Sequence, residues 1–135
     1  MPTLAFSQYA RTKILHAVGR GVSFTAPPVL YGALFKADPT VLGTGDEVDA
    51  GLGYGRIPIV FGDDPGTGII ANTALLLWGD STAAWGVVSH LGLFDDVDIG
   101  EGNLWMFGAL AHTSTIDDQY GAVIVQIGAL TLRLY

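Results

Sequence analysis

The sequence has no cysteine, which excludes disulfides and thiolate-bound metals and leaves the redox compartment open. Cations are scarce: six Lys and Arg stand against 13 Asp and Glu, for a net charge of −7. An acidic body repels phosphate, so nucleic acid is not an expected partner. Long apolar runs are also missing. No stretch reaches the roughly 18 to 20 apolar residues of a bilayer-spanning helix, so no membrane partner is expected. In "MPTLAFSQYARTKILHAVGRG" the charges lie inside the apolar run and not ahead of it, unlike a secretory signal, so the expectation is a soluble chain that is not exported by itself. Charged residues make up only 14% of the chain while half is apolar, which excludes a disordered polypeptide.

What is present fits a single domain over residues 1–135, long enough to bury a core without staples. The 19 glycines and 6 prolines favour short strands joined by turns. Charge is divided unevenly. Residues 1–20 carry +3, from Arg11, Lys13 and Arg20, and no acid precedes Asp38. Residues 21–135 carry −10, with only Lys36, Arg56 and Arg133 against all the acids. A basic tip on an acidic body suits docking against an acidic protein surface, including that of a neighbouring copy. A solvated helix face explains the same charges equally well.

Ser7 is placed as an N-cap, and helix formers follow it. Ala10, Ile14, Ala17 and Val18 recur at helical spacing with Leu15 beside them, and Gly19 and Gly21 give the stop signal, so residues 8–20 read as one amphipathic helix. Pro27 and Pro28 bar its continuation. Beyond them the period changes. "VLYGALF" (29–35), "YGRIPIVF" (54–61), "IIANTALLLW" (69–78, broken near Asn72), "VVSHLGLF" (87–94), "NLWMFGAL" (103–110), "AVIVQI" (122–127) and "LTLRLY" (130–135) read as strands. Pro58 marks an edge or a bulge. Polar, Gly-rich loops fill 37–53, 62–68, 79–86 and 95–102. The expected fold is mainly β: an antiparallel β-sandwich, jelly-roll or Ig-like, of about seven short strands over residues 29–135, with one N-terminal helix. No helical pattern separates the strands, which disfavours a parallel α/β fold. Neither an internal repeat nor a heptad is present, as a fibre shaft would require.

Each cluster able to carry chemistry has a plainer explanation. Ser89 and His90 are neighbours on a strand and are expected to point to opposite faces, so they are not expected to act as nucleophile and base. The motif G-x-S-x-G is absent, and His16 and His112 lie on other elements. Asp96, Asp98 and Gly100 look like the start of a calcium loop, but Phe107 stands where a bidentate Glu is needed. The three histidines show no H-x-x-x-H spacing. Acids within residues 43–55 argue against a phosphate cradle. No catalytic residue, metal or cofactor is therefore assigned. Trp78, Trp85 and Trp105 read either as core residues or as interface anchors.

The ordered blocks "VLYGALFKADPTVLGTGDEV", "GYGRIPIVFG", Ala84-Trp85-Gly86 followed by "VVSHLGLFD", and "GNLWMFGAL" resemble a family of small tailed-phage structural proteins, often labelled tail or tail-fibre proteins. The resemblance covers roughly residues 8–110, and the chain ends in a comparable "LTLRL" strand. It implies a virion component, assembled in the host cytoplasm, and not an enzyme. Compactness, the absence of repeats and the basic helix add an expectation of a capsid decoration or cement protein that bridges major capsid subunits and copies of itself, for example as a trimer. The alternative is a tail-tip or tail-fibre-associated protein in host attachment, with other tail proteins as partners and loops 37–53 and 95–102 facing a receptor or glycan. The residues expected at a partner interface are Tyr9, Arg11, Lys13, Ile14, Arg20, Trp85 and Trp105.

Overall fold

The computed structural model describes residues 3–133. Residues 134 and 135, the end of the expected last strand, lie outside the described residues, as do residues 1 and 2. The fold is mainly β with one helix, as the periodicity predicts. Its elements run β1 (Thr3–Phe6), α1 (Gln8–Arg20), β2 (Leu30–Phe35), β3 (Ile57–Ile59), β4 (Ile69–Ala71), β5 (Leu76–Trp78), β6 (Gly86–Phe94), β7 (Leu104–Ile116), β8 (Val123–Val125) and β9 (Thr131–Arg133). Seven strands form a curled sheet in the order β3-β2-β6-β7-β1-β9-β4, and β5 and β8 form a separate two-stranded ribbon.

Two features depart from a purely antiparallel sandwich of sequential strands. The N-terminal segment is itself a strand: Ala5 and Phe6 pair with Phe107 and Met106 of β7, and Thr3 and Leu4 run parallel to Thr131 and Leu132 of β9. Four residues are too few to show a period, so this strand is invisible in the sequence pattern. β7 is also longer than expected, because its polar second half, "AHTST", still pairs with β6 through Val87↔Thr115 and Val88↔Ser114.

The break near Asn72 has a clear cause. Asn72 is buried; its Oδ1 accepts from Leu130 N–H at 2.9 Å, and its Nδ2 donates to Ala74 O at 2.8 Å and Gln126 O at 3.0 Å. A buried amide must be satisfied, and here it fastens the β4–β5 link to the segment before β9. Pro58 sits in β3, at the edge of the sheet, where a missing N–H costs no ladder bond.

One core lies on one face of the sheet, built from Leu34, Trp78, Val88, Leu91, Leu93, Met106 and Leu130 among others. A small satellite of Ala33, Phe35, Phe94 and Leu104 packs on the opposite face. Gly92 is required there, since a Cβ would sit 2.9 Å from Phe35 and 3.0 Å from Leu104.

Candidate functional site

Helix α1 is bolted at one end and free at the other. Ser7 caps it: its Oγ accepts from Ala10 N–H at 3.1 Å and donates to Leu104 O, and its backbone N–H donates to Trp105 O at 2.9 Å. Gln8 N–H donates to Val41 O at 2.9 Å, which ties the helix start to the 37–45 loop. Gly21, in the left-handed region at φ 67°, ends the helix, and Val22 N–H closes on His16 O. Arg20 in the last turn complements the negative helix end.

The side chains follow the same division. Ala10 is buried, and Ile14 and Ala17 are half-buried. Leu15 is 68% and Val18 85% exposed, although the spacing predicts that both help to cover the core. At 100° per residue Val18 lies about 80° and Leu15 about 140° round from Ala10, together with Arg11, so the helix has a second apolar strip, flanking the buried one, that the domain does not use. Arg11 and Arg20 are exposed. Lys13 lies 5.3 Å from the centroid of the Tyr9 ring, which in turn meets Trp105 edge-on at 5.3 Å.

Beside the helix opens a cleft of about 500 Å³, lined by Gln8, Tyr9, Thr12, Lys13, Leu42 and Asn103, with Phe94 and Leu104 from the satellite cluster. Its walls come from α1 and from the two loops singled out in the sequence, 37–53 and 95–102. These loops are firmly held. Arg56 is buried, and its guanidinium binds Glu47 through Nε–Oε2 at 2.9 Å and Nη2–Oε1 at 2.8 Å. Nη1 donates to Asp96 O at 2.9 Å and to Glu101 O at 2.8 Å, and the group stacks 4.1 Å above Phe94. One fork thus joins both loops to the satellite cluster. Tyr54 completes the network: its hydroxyl donates to Glu47 Oε2 at 2.6 Å and accepts from Leu34 N–H at 3.0 Å. Burial, then the Glu47 hydrogen bond and charge, push the phenol far above its ordinary pKa, so it stays a donor. The sequence pattern places Arg56 only as a strand residue. The available signal was a lone cation within a long acidic stretch.

The 95–102 loop is closed by its own carboxylates. Asp95 accepts from Asn103 N–H at 2.7 Å, Asn103 Nδ2 at 3.1 Å and Trp105 Nε1 at 3.1 Å. Burial pushes its carboxyl up, but these hydrogen bonds outweigh that and hold it below the ordinary carboxylate value. Asp96 Oδ1 accepts from Asp98 N–H at 2.9 Å. Among the described residues, no group of three or more His, Cys, Asp or Glu is arranged to hold a metal ion.

The expectation for Ser89 and His90 needs correction. Their side chains do meet, with Ser89 Oγ 2.7 Å from His90 Nδ1. The register slips between Val88 and His90, where β7 carries extra residues. The slip shows in the burial: Val88, Leu91 and Leu93 all enter the same core, so the pleat changes phase between them. Strict alternation therefore fails at this one step. The pair does not line the cleft beside the helix. The contact satisfies two half-buried polar groups, but no carboxylate among the described residues hydrogen-bonds to the imidazole to orient it as a base.

The tryptophans expected as anchors lie inside the domain. Trp85 is 3% and Trp105 7% exposed. Each indole N–H is engaged within the chain: Trp78 with Gly32 O at 3.0 Å, Trp85 with Leu52 O at 2.8 Å and Trp105 with Asp95. Their large apolar rings fill the core, which leaves the helix residues Tyr9, Arg11, Lys13, Ile14 and Arg20 at or near the surface.

No curated protein matches the chain. A family model does, described as "Podophage GP4 fiber I protein gp80", and the match spans residues 5–133, from β1 to β9. It includes α1, both cleft loops and the Arg56 network, and it agrees with the resemblance carried by the ordered sequence blocks. The chain therefore belongs to the Podophage GP4 fiber I protein gp80 family and is a structural protein of a tailed-phage virion.

Proposed function

We infer that this chain is a tail-fibre-associated protein that takes part in host attachment and acts by fitting against other proteins, without covalent chemistry. The observation that carries the reading is the family match, whose description names a fibre protein. The structure supports it physically. The cleft loops are locked by a buried ion pair and hydrogen bonds, so a binding surface built on them is preorganised. Helix α1 presents cations and an apolar strip to a partner. The shell-decoration expectation rests on compactness and the same basic helix, and no feature of the fold favours it over a fibre.

Copy number and position on the virion test the reading. Quantitative mass spectrometry with cryo-electron microscopy should find the protein at the tail, in a few to a few tens of copies. Hundreds of copies spread over the head would overturn it.

A further inference from the structure

The outer surface of the β5–β8 ribbon is as unpartnered as the outer strip of α1. Leu77 and Ile124 face each other across the ribbon and are both half-exposed, and Leu75 continues the same face. A groove of about 230 Å³ runs alongside, lined by Leu110, Ile124 and Ala129. Exposed carboxylates gather at one end of the ribbon. Ser81 accepts from Tyr120 N–H at 2.7 Å and donates through Oγ to Asp118 O at 2.6 Å, which pins the 117–121 turn next to Asp80. Asp80, Asp117 and Asp118 are all exposed, and none of them has an ion pair among the described residues. Asp118 makes a local bond only, accepting from Gln119 N–H at 2.7 Å.

The chemistry of the helix strip is the complement. Lys36 and Arg56 are neutralised within the domain, by Asp46 and Glu47, whereas Arg11, Lys13 and Arg20 form no ion pair among the described residues. Arg11 lies about 8 Å along the axis from the midpoint of Leu15 and Val18. Asp80 lies just beyond the Trp78 end of β5, the end at which Trp78 pairs with Val123 of β8. Leu15 and Val18 can thus cover Leu77 and Ile124 while Arg11 reaches the acidic end; Arg20, about 180° round the helix from Arg11, adds only long-range attraction.

We propose that helix α1 of one copy docks on the β5–β8 ribbon of a second copy, through Leu15 and Val18 on Leu77 and Ile124 and Arg11 on the Asp80–Asp117–Asp118 end. The proposal rests on the reading of α1 as a docking arm, but not on where in the virion the protein sits. The two surfaces differ, so the contact is head-to-tail, and it closes into a ring or propagates according to its rotation.

Sedimentation velocity on the purified chain reads this directly. The wild type should associate with rising concentration. R11E/R20E and D117K/D118K should each sediment as monomers, with the tryptophan near-ultraviolet dichroism unchanged as a check on the fold. Mixed together, these two variants should associate, because the basic helix of the second meets the acidic ribbon of the first. A wild type that stays monomeric, variants that associate as the wild type does, or a mixture that stays monomeric would each overturn the proposal. Because the readout is in solution, it does not depend on the fibre assignment, which virion microscopy tests separately.

Discussion

The loop cluster around Arg56 and the free end of α1 handle charge in opposite ways. In the loops, a buried cation meets a carboxylate, two carbonyls and an aromatic face, and no buried polar side-chain atom among the described residues lacks a partner. On the helix, three cations have no ion pair among the described residues, and two branched apolar side chains face solvent. A satisfied network specifies shape; an unsatisfied surface specifies association. On the proposed reading, the difference separates the part of the molecule that builds a surface from the part that docks.

Breaking the loop network should have the largest effect. Arg56→Ala leaves the Glu47 carboxylate largely buried without its partner and should cost about 3–5 kcal/mol in denaturant unfolding. The double variant Glu47→Leu/Arg56→Met should recover much of that, because the desolvation penalty disappears with the charge. If the double variant is as unstable as the single one, the two carbonyl contacts matter more than the pair.

Asp95 sharpens the comparison through pH. Its folded pKa is lowered, so it contributes stability above its ordinary value of 3.8, and that contribution is lost as pH falls through the lower folded value. Asp95→Asn should lower stability by about 1–3 kcal/mol at neutral pH and flatten the acid limb of the stability curve. An acid limb unchanged from the wild type would contradict the hydrogen-bond assignment.

Ser7→Ala removes the N-cap and one hydrogen bond to Leu104 and should cost about 1–2 kcal/mol. The smallest effect on the isolated chain belongs to the free strip. Leu15→Ala with Val18→Ala should change its stability by no more than about 0.5 kcal/mol while abolishing self-association. A clear loss of monomer stability would mean that the strip packs on its own domain.

Much of this was legible from the sequence alone. The helix, with Ser7 at its start and Gly21 at its end, follows from local rules that a 13-residue element obeys within itself. The β strands after Pro28, the edge position of Pro58 and the break at Asn72 also follow from local signals. Features that depend on distant pairing did not show. β1 exists only because β7 and β9 flank it, and the slip at Ser89 and His90 depends on how many residues β7 places opposite β6. Arg56 acquires its role from loops 9 and about 40 residues away in the chain. For the site, the charge split places three cations on the helix, and Arg11 and Arg20 are exposed there. The direction of its apolar strip could not be read, since a second strip and a buried one share the same period.

The central claim is that this protein works by contact made through its N-terminal helix. The most direct test is to assemble virions with the Arg11→Glu/Arg20→Glu chain and to quantify its incorporation by mass spectrometry. The account predicts a folded protein that is largely missing from purified particles, with host adsorption reduced in proportion. Full incorporation with normal adsorption would contradict it.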